Sequence, residues 1–261
     1  MKERLRQDLK KYGKYSIVSA KAQLKAEVAS SYLNWLWWIL DPICFMLIYT
    51  FIFGTVFQAS EPYFPIFIFI GLSAWDFFYR TLTQSIKLVK KNKEIVSKVY
   101  LPKYILILTR IWVNGFKMFL SFGVVFFMML FFGVPVTWRV LDWIPFVFLL
   151  FLFTFGCATF LLHYGVFVED LSNVISIGLR LLFYLTGIFY QVSSRIPAPY
   201  GEWMTKYNPM AFIITGMRRS LLYGETLEGG WLMFWLIGSL LLVVVGIRLI
   251  YKNENSYIKV I

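Results

Sequence analysis

A chain of 261 residues would ordinarily form one or two soluble domains, but here 59% of the residues are apolar, 20% aromatic and only 15% charged. A globular protein carries roughly 25% charged residues, so this composition excludes a water-soluble surface. The net charge of +12 does not point to nucleic acid, because the basic residues sit in blocks between uncharged runs such as Pro42 to Phe57, where orientation in a membrane would demand them.

Residues 1–30 carry Lys2, Arg4, Arg6, Lys10, Lys11, Lys14, Lys21 and Lys25 against Glu3, Asp8 and Glu27. Leu5, Leu9 and Tyr12 recur at helical spacing. The arm reads either as a basic amphipathic helix on an anionic membrane face or as a solvated positive-inside tail. No cleavable signal peptide is expected, since this polar stretch precedes the first apolar run.

The remainder, 31–261, reads as one body of six membrane-spanning helices of roughly 20 residues each. The first span runs from about Trp35 to Phe57 and opens on Trp35, Trp37 and Trp38. A short connection with Ser60, Glu61 and Pro62 leads to a second span from near Pro65 to beyond Phe78. A polar stretch at 87–103 follows. The third span is expected at Ile111 to Val134, the fourth at Trp143 to Val168 and, after Glu169-Asp170, the fifth at Leu171 to Tyr190. The sixth is expected at Trp231 to Ile250, with a short basic tail.

Segment 191–230 is rich in Pro, Gly and aromatic residues. Within it, Pro209 to Tyr223 is too short to span and too apolar for a free loop, so re-entrant or interfacial helices are expected there. Lys and Arg number 17 in the arm, 87–103, 169–170 and the tail, against 5 in the alternate segments. Both termini are therefore expected in the cytoplasm.

The sequence offers little for catalysis. His163 has no ligand partners at metal spacing, and Cys44 and Cys157 lie in apolar runs as small hydrophobes. There is no GxSxG, no HExxH and no P-loop, so no Walker-type ATP hydrolysis is expected on this chain. Charges within apolar runs invite a functional reading. These are Asp41, Asp76 and Arg180, with Lys103, Arg110 and Lys117 spaced by seven on nearly one helical face. That stripe suits an anionic head group, or else long side chains reaching for the interface. Among 27 Phe, 16 Tyr and 10 Trp, most will face lipid or the interfaces. Trp35, Trp38, Tyr184 and Tyr190 are the candidates for a path on which sugar rings could stack.

The order of features resembles the permease subunits of ABC exporters for polysaccharides and polyol phosphates, the Wzm/KpsM/TarG-like ABC type-2 transporters. The resemblance rests on Ser30-Ser31-Tyr32-Leu33 leading through Trp35, Leu36 and Trp37 to Leu40-Asp41-Pro42. It continues with Phe53-Gly54, with Ile95 to Pro102 (IVSKVYLP), with Asn208-Pro209-Met210 and with Arg218. It implies an all-α permease that binds no cofactor, exporting a lipid-linked glycan or polyol phosphate across the bacterial cytoplasmic membrane as a homodimer. ATP and Mg would be bound by a separate ABC ATPase subunit. Lys93, Glu94, Ile95, Val96, Lys98, Val99, Tyr100 and Leu101 would form the main coupling helix, and Glu169 and Asp170 a smaller second contact. Alternative readings are an ABC permease for drugs or small amphiphiles, or a proton-coupled secondary transporter using Asp41 or Asp76.

Overall fold

The computed structural model describes residues 2–29, 34–58, 61–225 and 228–260, and these are helical with no strand. The stretch Ser30-Ser31-Tyr32-Leu33 and Ser60 lie outside the described residues. Helix α1 (Lys2–Ala29) is followed by α2 (Asn34–Tyr49), which widens into a π-helical turn over Thr50–Val56. Pro42 removes one backbone donor within α2, a site where helices bend.

Helix α3 (Phe64–Ile86) starts with Pro65 in its first turn, where a missing N–H costs nothing. Two short helices, α4 (Leu88–Lys91) and α5 (Lys93–Lys98), lead to the long α6 (Lys103–Phe131). Then come α7 (Trp143–Phe167), α8 (Leu171–Leu185) and three short helices, α9 (Val192–Arg195), α10 (Tyr200–Tyr207) and α11 (Pro209–Arg218). A second π turn, Arg219–Tyr223, precedes the 32-residue α12 (Gly229–Val260).

Helix α7 is apolar on every side, as a central helix must be. It packs against α12, α3, α11 and α6. Small residues permit the close approaches. A Cβ on Gly246 would strike Thr159, and one on Gly165 would collide with the Ile86 carbonyl. Helix α3 packs against α6, α7 and α2, and its Phe67 to Ile70 stretch is fully buried.

Four stretches among the described residues are long and apolar enough to cross a membrane: Trp35–Val56, Lys103–Phe131, Trp138–Phe167 and Gly229–Tyr257. Helix α3 has the length, at 23 residues, but Asp76 and Arg80 hold its hydropathy down. Helix α8, at 15 residues, reaches about 22 Å, short of a 30 Å hydrocarbon core. All six expected positions hold helices, of which four meet the length and hydropathy needed.

Several boundaries differ from expectation for visible reasons. The expected fifth span to Tyr190 stops as a helix at Leu185, because Gly187 takes a left-handed φ of 71° and the chain folds back. The third begins at Lys103 rather than Ile111, since Pro102 ends the preceding loop. The expected tail after Ile250 is helix through Val260. In α1 the inward stripe is buried Asp8, Ser16 and Ala20 with half-buried Leu5 and Tyr12, and Leu9 is exposed. That face packs along α6.

Candidate functional site

The short helices α4 and α5 build an exposed ridge. Asn92 ends α4 by donating its Nδ2 hydrogen to the Leu88 carbonyl at 2.8 Å. Val89, Val96 and Leu101 are buried and anchor the segment. Lys93, Glu94, Ile95, Lys98, Val99 and Tyr100 point outward. Exposed Ile, Val and Tyr flanked by lysines make a surface with apolar contacts and a positive rim, the composition of a protein interface. The Glu169-Asp170 turn lies beside it, with Lys90 Nζ 3.4 Å from Glu169 Oε1. Both expected coupling contacts therefore stand at one end of the bundle.

Behind the ridge, three distant parts of the chain meet. Arg4 donates to Tyr100 Oη and Glu254 Oε1, each at 2.5 Å, and Tyr100 donates to Glu254 Oε2 at 3.3 Å. These partners hold the Arg4 guanidinium above its ordinary pKa, while partial burial pushes the Tyr100 phenol up. Tyr251 donates to Asp8 Oδ2 at 2.7 Å, so α1 is tied to α12 at two points.

Lys103, Arg110 and Lys117 do not form one open stripe, because α1 packs along the face of α6 that carries them. Lys103 is only 2% exposed, with its ammonium 5.8 Å from the Tyr100 ring centre. Arg110 is half-buried. Lys117 is paired with Glu27 of α1 at 2.6 Å and lies 5.1 Å from the Trp38 ring centre. Arg180 is exposed on α8.

Asp41 and Asp76 come together on a residue that the sequence reading passed over. Arg80 Nε donates to both oxygens of Asp76 at 2.7 Å, and its Nη2 lies 3.3 Å from Asp41 Oδ2. The signal was available, since residues four apart share a helix face. These side chains line a cavity of 330 Å³ with Glu27, Trp37, Trp38, Ser73 and Lys117. An adjoining lobe of 170 Å³ is lined by Phe45, Tyr49, Trp75 and Phe183 as well as Asp41, Asp76 and Arg80.

The candidate aromatics are dispersed. Trp38 lines the cavity, Trp35 stands exposed on α2, and Tyr184 is exposed on α8. Half-buried Tyr190 donates to the Tyr184 carbonyl at 3.0 Å. The better-formed aromatic wall was not foreseen: Phe189 stacks on Phe53 at 4.6 Å and meets Tyr49 at 4.5 Å. Among the described residues no three His, Cys, Asp or Glu side chains converge as a metal site.

At the opposite end, Asn208 caps α11 by accepting from the Met210 and Ala211 amides at 3.1 and 3.2 Å. Pro209 occupies the next position, which gives the Asn-Pro-Met sequence a structural reason. Arg218 is buried and gives three hydrogen bonds, to the carbonyls of Phe67, Gly187 and Ile188, at 3.0, 2.8 and 2.7 Å.

The profile of the ABC-2 type transporter family matches residues 17–222, the greater part of the chain. The chain belongs to the ABC-2 type transporter family. Relatives include the O-antigen export system permease protein RfbA of Klebsiella pneumoniae, 27% identical over 246 residues and 94% of each chain. RfbA of Myxococcus xanthus is 27% identical, covering 81% of this chain and 82% of its own. The polysialic acid transport protein KpsM of Escherichia coli is 23% identical, covering 86% and 87%. The resemblance read from the order of motifs agrees with these relatives.

Proposed function

We propose that this chain is the membrane-spanning subunit of an ATP-driven exporter that moves a lipid-linked polysaccharide or teichoic acid outward across the cytoplasmic membrane. The observation that carries the reading is the pairing of the Lys93–Tyr100 ridge with the Glu169-Asp170 turn through Lys90. Two separate loops at one end offer a partner a surface that can report on the spacing of the helices behind them. With no P-loop in the sequence, the energy comes from a separate ATPase. Two copies of the permease pair with two ATPase subunits.

In this reading α2 with its π turn, α3, α6, α7, α8 and α12 are the six spans, with both termini cytoplasmic. Helices α10 and α11 form the re-entrant outer hairpin. ATP binding closes the ATPase pair, the ridge shifts, and glycan passes between the two permease copies along aromatic surfaces such as Tyr49, Phe53 and Phe189. The family membership and the end-to-end similarity to polysaccharide export permeases support the cargo class.

The test is co-purification of the membrane-embedded chain with a separately encoded ABC ATPase, together with a deletion strain assayed for cell-surface glycan. Accumulation of lipid-linked glycan inside the deletion strain is the expected result. Export that persists without any ATPase and collapses with the proton gradient would overturn the reading.

A further inference from the structure

The cavity between α2, α3, α6 and the end of α1 is explained neither by the docking ridge nor by the aromatic wall. Its 330 Å³ falls within the range of small-ligand sites. Asp41 lies six residues beyond Trp35, about 9 Å along the helix. Carboxylates and cations at such depth are expensive and mark functional sites by default.

The charge balance decides what could bind. Glu27, Asp41 and Asp76 face Arg80 and Lys117 across this cavity; Glu27 also has Arg110 within electrostatic reach, so the surplus carboxylate is the one left where Asp41 and Asp76 share Arg80. Each cation is already held, Arg80 by Asp76 and Asp41, and Lys117 by Glu27 at 2.6 Å. A phosphate would meet surplus negative charge at close range, where like charges repel strongly in a low-dielectric setting. An uncharged ligand rich in hydroxyls meets no such barrier, and its O–H groups can donate to carboxylate lone pairs.

A second observation is independent of the charges. Ser73 lines the same cavity, is 3% exposed, and its Oγ has no hydrogen-bond partner among the described residues. A buried hydroxyl left unpaired costs about 1–3 kcal/mol; Ser73 Oγ is closed off as the side chain stands, and a rotation about its χ1 that turned it inward would let a ligand hydroxyl remove that cost. Trp37 and Trp38 on the polar side, with Trp75 in the adjoining lobe, supply the flat apolar faces against which sugar rings pack.

We infer that this cavity is a saccharide site, taking one uncharged sugar ring of the cargo and rejecting phosphate-bearing units. That its ligand is part of an exported glycan rests on the exporter reading above; the chemistry of the cavity does not. It turns Lys117 from a head-group contact into a wall residue whose charge is spent on Glu27.

The test uses the full chain in nanodiscs and ligand-observed NMR, with mannotriose, galactotriose and maltotriose as neutral probes and sn-glycerol 3-phosphate as the anionic one. At least one trisaccharide should bind saturably, and glycerol phosphate should neither bind nor compete. Ser73→Val fills part of the cavity without breaking any bond, and Asp41→Asn removes one carboxylate charge. Each should weaken sugar binding about tenfold while the melting temperature stays within a few degrees. Binding of glycerol phosphate alone, absence of binding by every trisaccharide, or unchanged sugar binding in Ser73→Val would overturn the site. Export that is lost on deletion of the chain, with sugar binding unaltered in Ser73→Val, retires the cavity and leaves the exporter reading intact. Sugar binding without an export defect on deletion does the reverse.

Discussion

Arg218 stacks its guanidinium 3.4 Å from the centre of the Phe67 ring while its Nε donates to the Phe67 carbonyl. The other two donors reach the carbonyls of Gly187 and Ile188. One side chain thus joins α11 to the start of α3 and to the fold-back after α8. Arg218→Lys keeps the charge but loses the planar fork. With charge-assisted bonds worth about 1.5–3 kcal/mol each, Arg218→Lys should lose about 2–4 kcal/mol of stability. A thermal melt of detergent-solubilised protein will show it, and an unchanged melting temperature would refute the clamp.

In the exporter reading, the Lys93–Tyr100 ridge separates anchoring from contact. Val99 is exposed and Val96 is 3% exposed. Val99→Asp, and the double reversal Lys93→Glu with Lys98→Glu, should leave the melting temperature nearly unchanged while abolishing ATPase co-purification. Val96→Ala should do the opposite, costing about 1–2 kcal/mol through the buried methyl groups removed.

At the same end, Asp8 accepts from Tyr251 and Arg4 holds Glu254. Asp8→Asn weakens a charge-assisted bond and Arg4→Ala removes the exposed link. The double variant should release α1 from α12. Limited trypsin digestion at Lys10, Lys11 and Lys14, which lie on its exposed side, should then proceed several-fold faster than in wild type.

Glycines provide a contrast within one fold. A Cβ at Gly165 would collide with the Ile86 carbonyl, which is backbone and cannot swing aside, whereas nothing lies within 4 Å of a Cβ at Gly178. Gly165→Ala should lose about 1–3 kcal/mol or force α7 away from α3. Gly178→Ala should be neutral or gain up to about 1 kcal/mol from helix propensity. Melting temperatures moving in the same direction would contradict this packing.

Helix positions were readable because long apolar runs bounded by charges leave few alternatives, and all six expected positions hold helices. Their ends were less readable. The stop at Leu185 depends on Gly187 turning and on Arg218, 31 residues later, accepting the role of donor to its carbonyl, a relationship that local pattern does not contain. The candidate site was legible in parts. Asp41, Asp76 and Lys117 stood out as charges in apolar surroundings, and Asn208-Pro209 was visible as a motif. Arg80 escaped notice because it sits toward the polar end of its helix, where an arginine looks ordinary. The stripe on α6 was correct as geometry on one helix, but its covering by α1 depends on where another helix lies. Ser73 carried no signal at all, since a serine in an apolar helix is unremarkable until its surroundings are seen.

Helix α2 is held differently from its neighbours. Little of the apolar stretch Trp35–Val56 is buried against the rest of the bundle, and one polar tie to it is Asp41 to Arg80 at 3.3 Å. Helices α3, α6 and α7 are wedged into the core by glycines and aromatic rings, so pushing them aside would open voids. Moving α2 outward would break the contacts of Tyr49 with Phe189 and of Trp38 with Phe116, and it would open the side of the charged cavity. The arginine that lines the chamber is thus also the side chain that fastens this weakly buried helix across it.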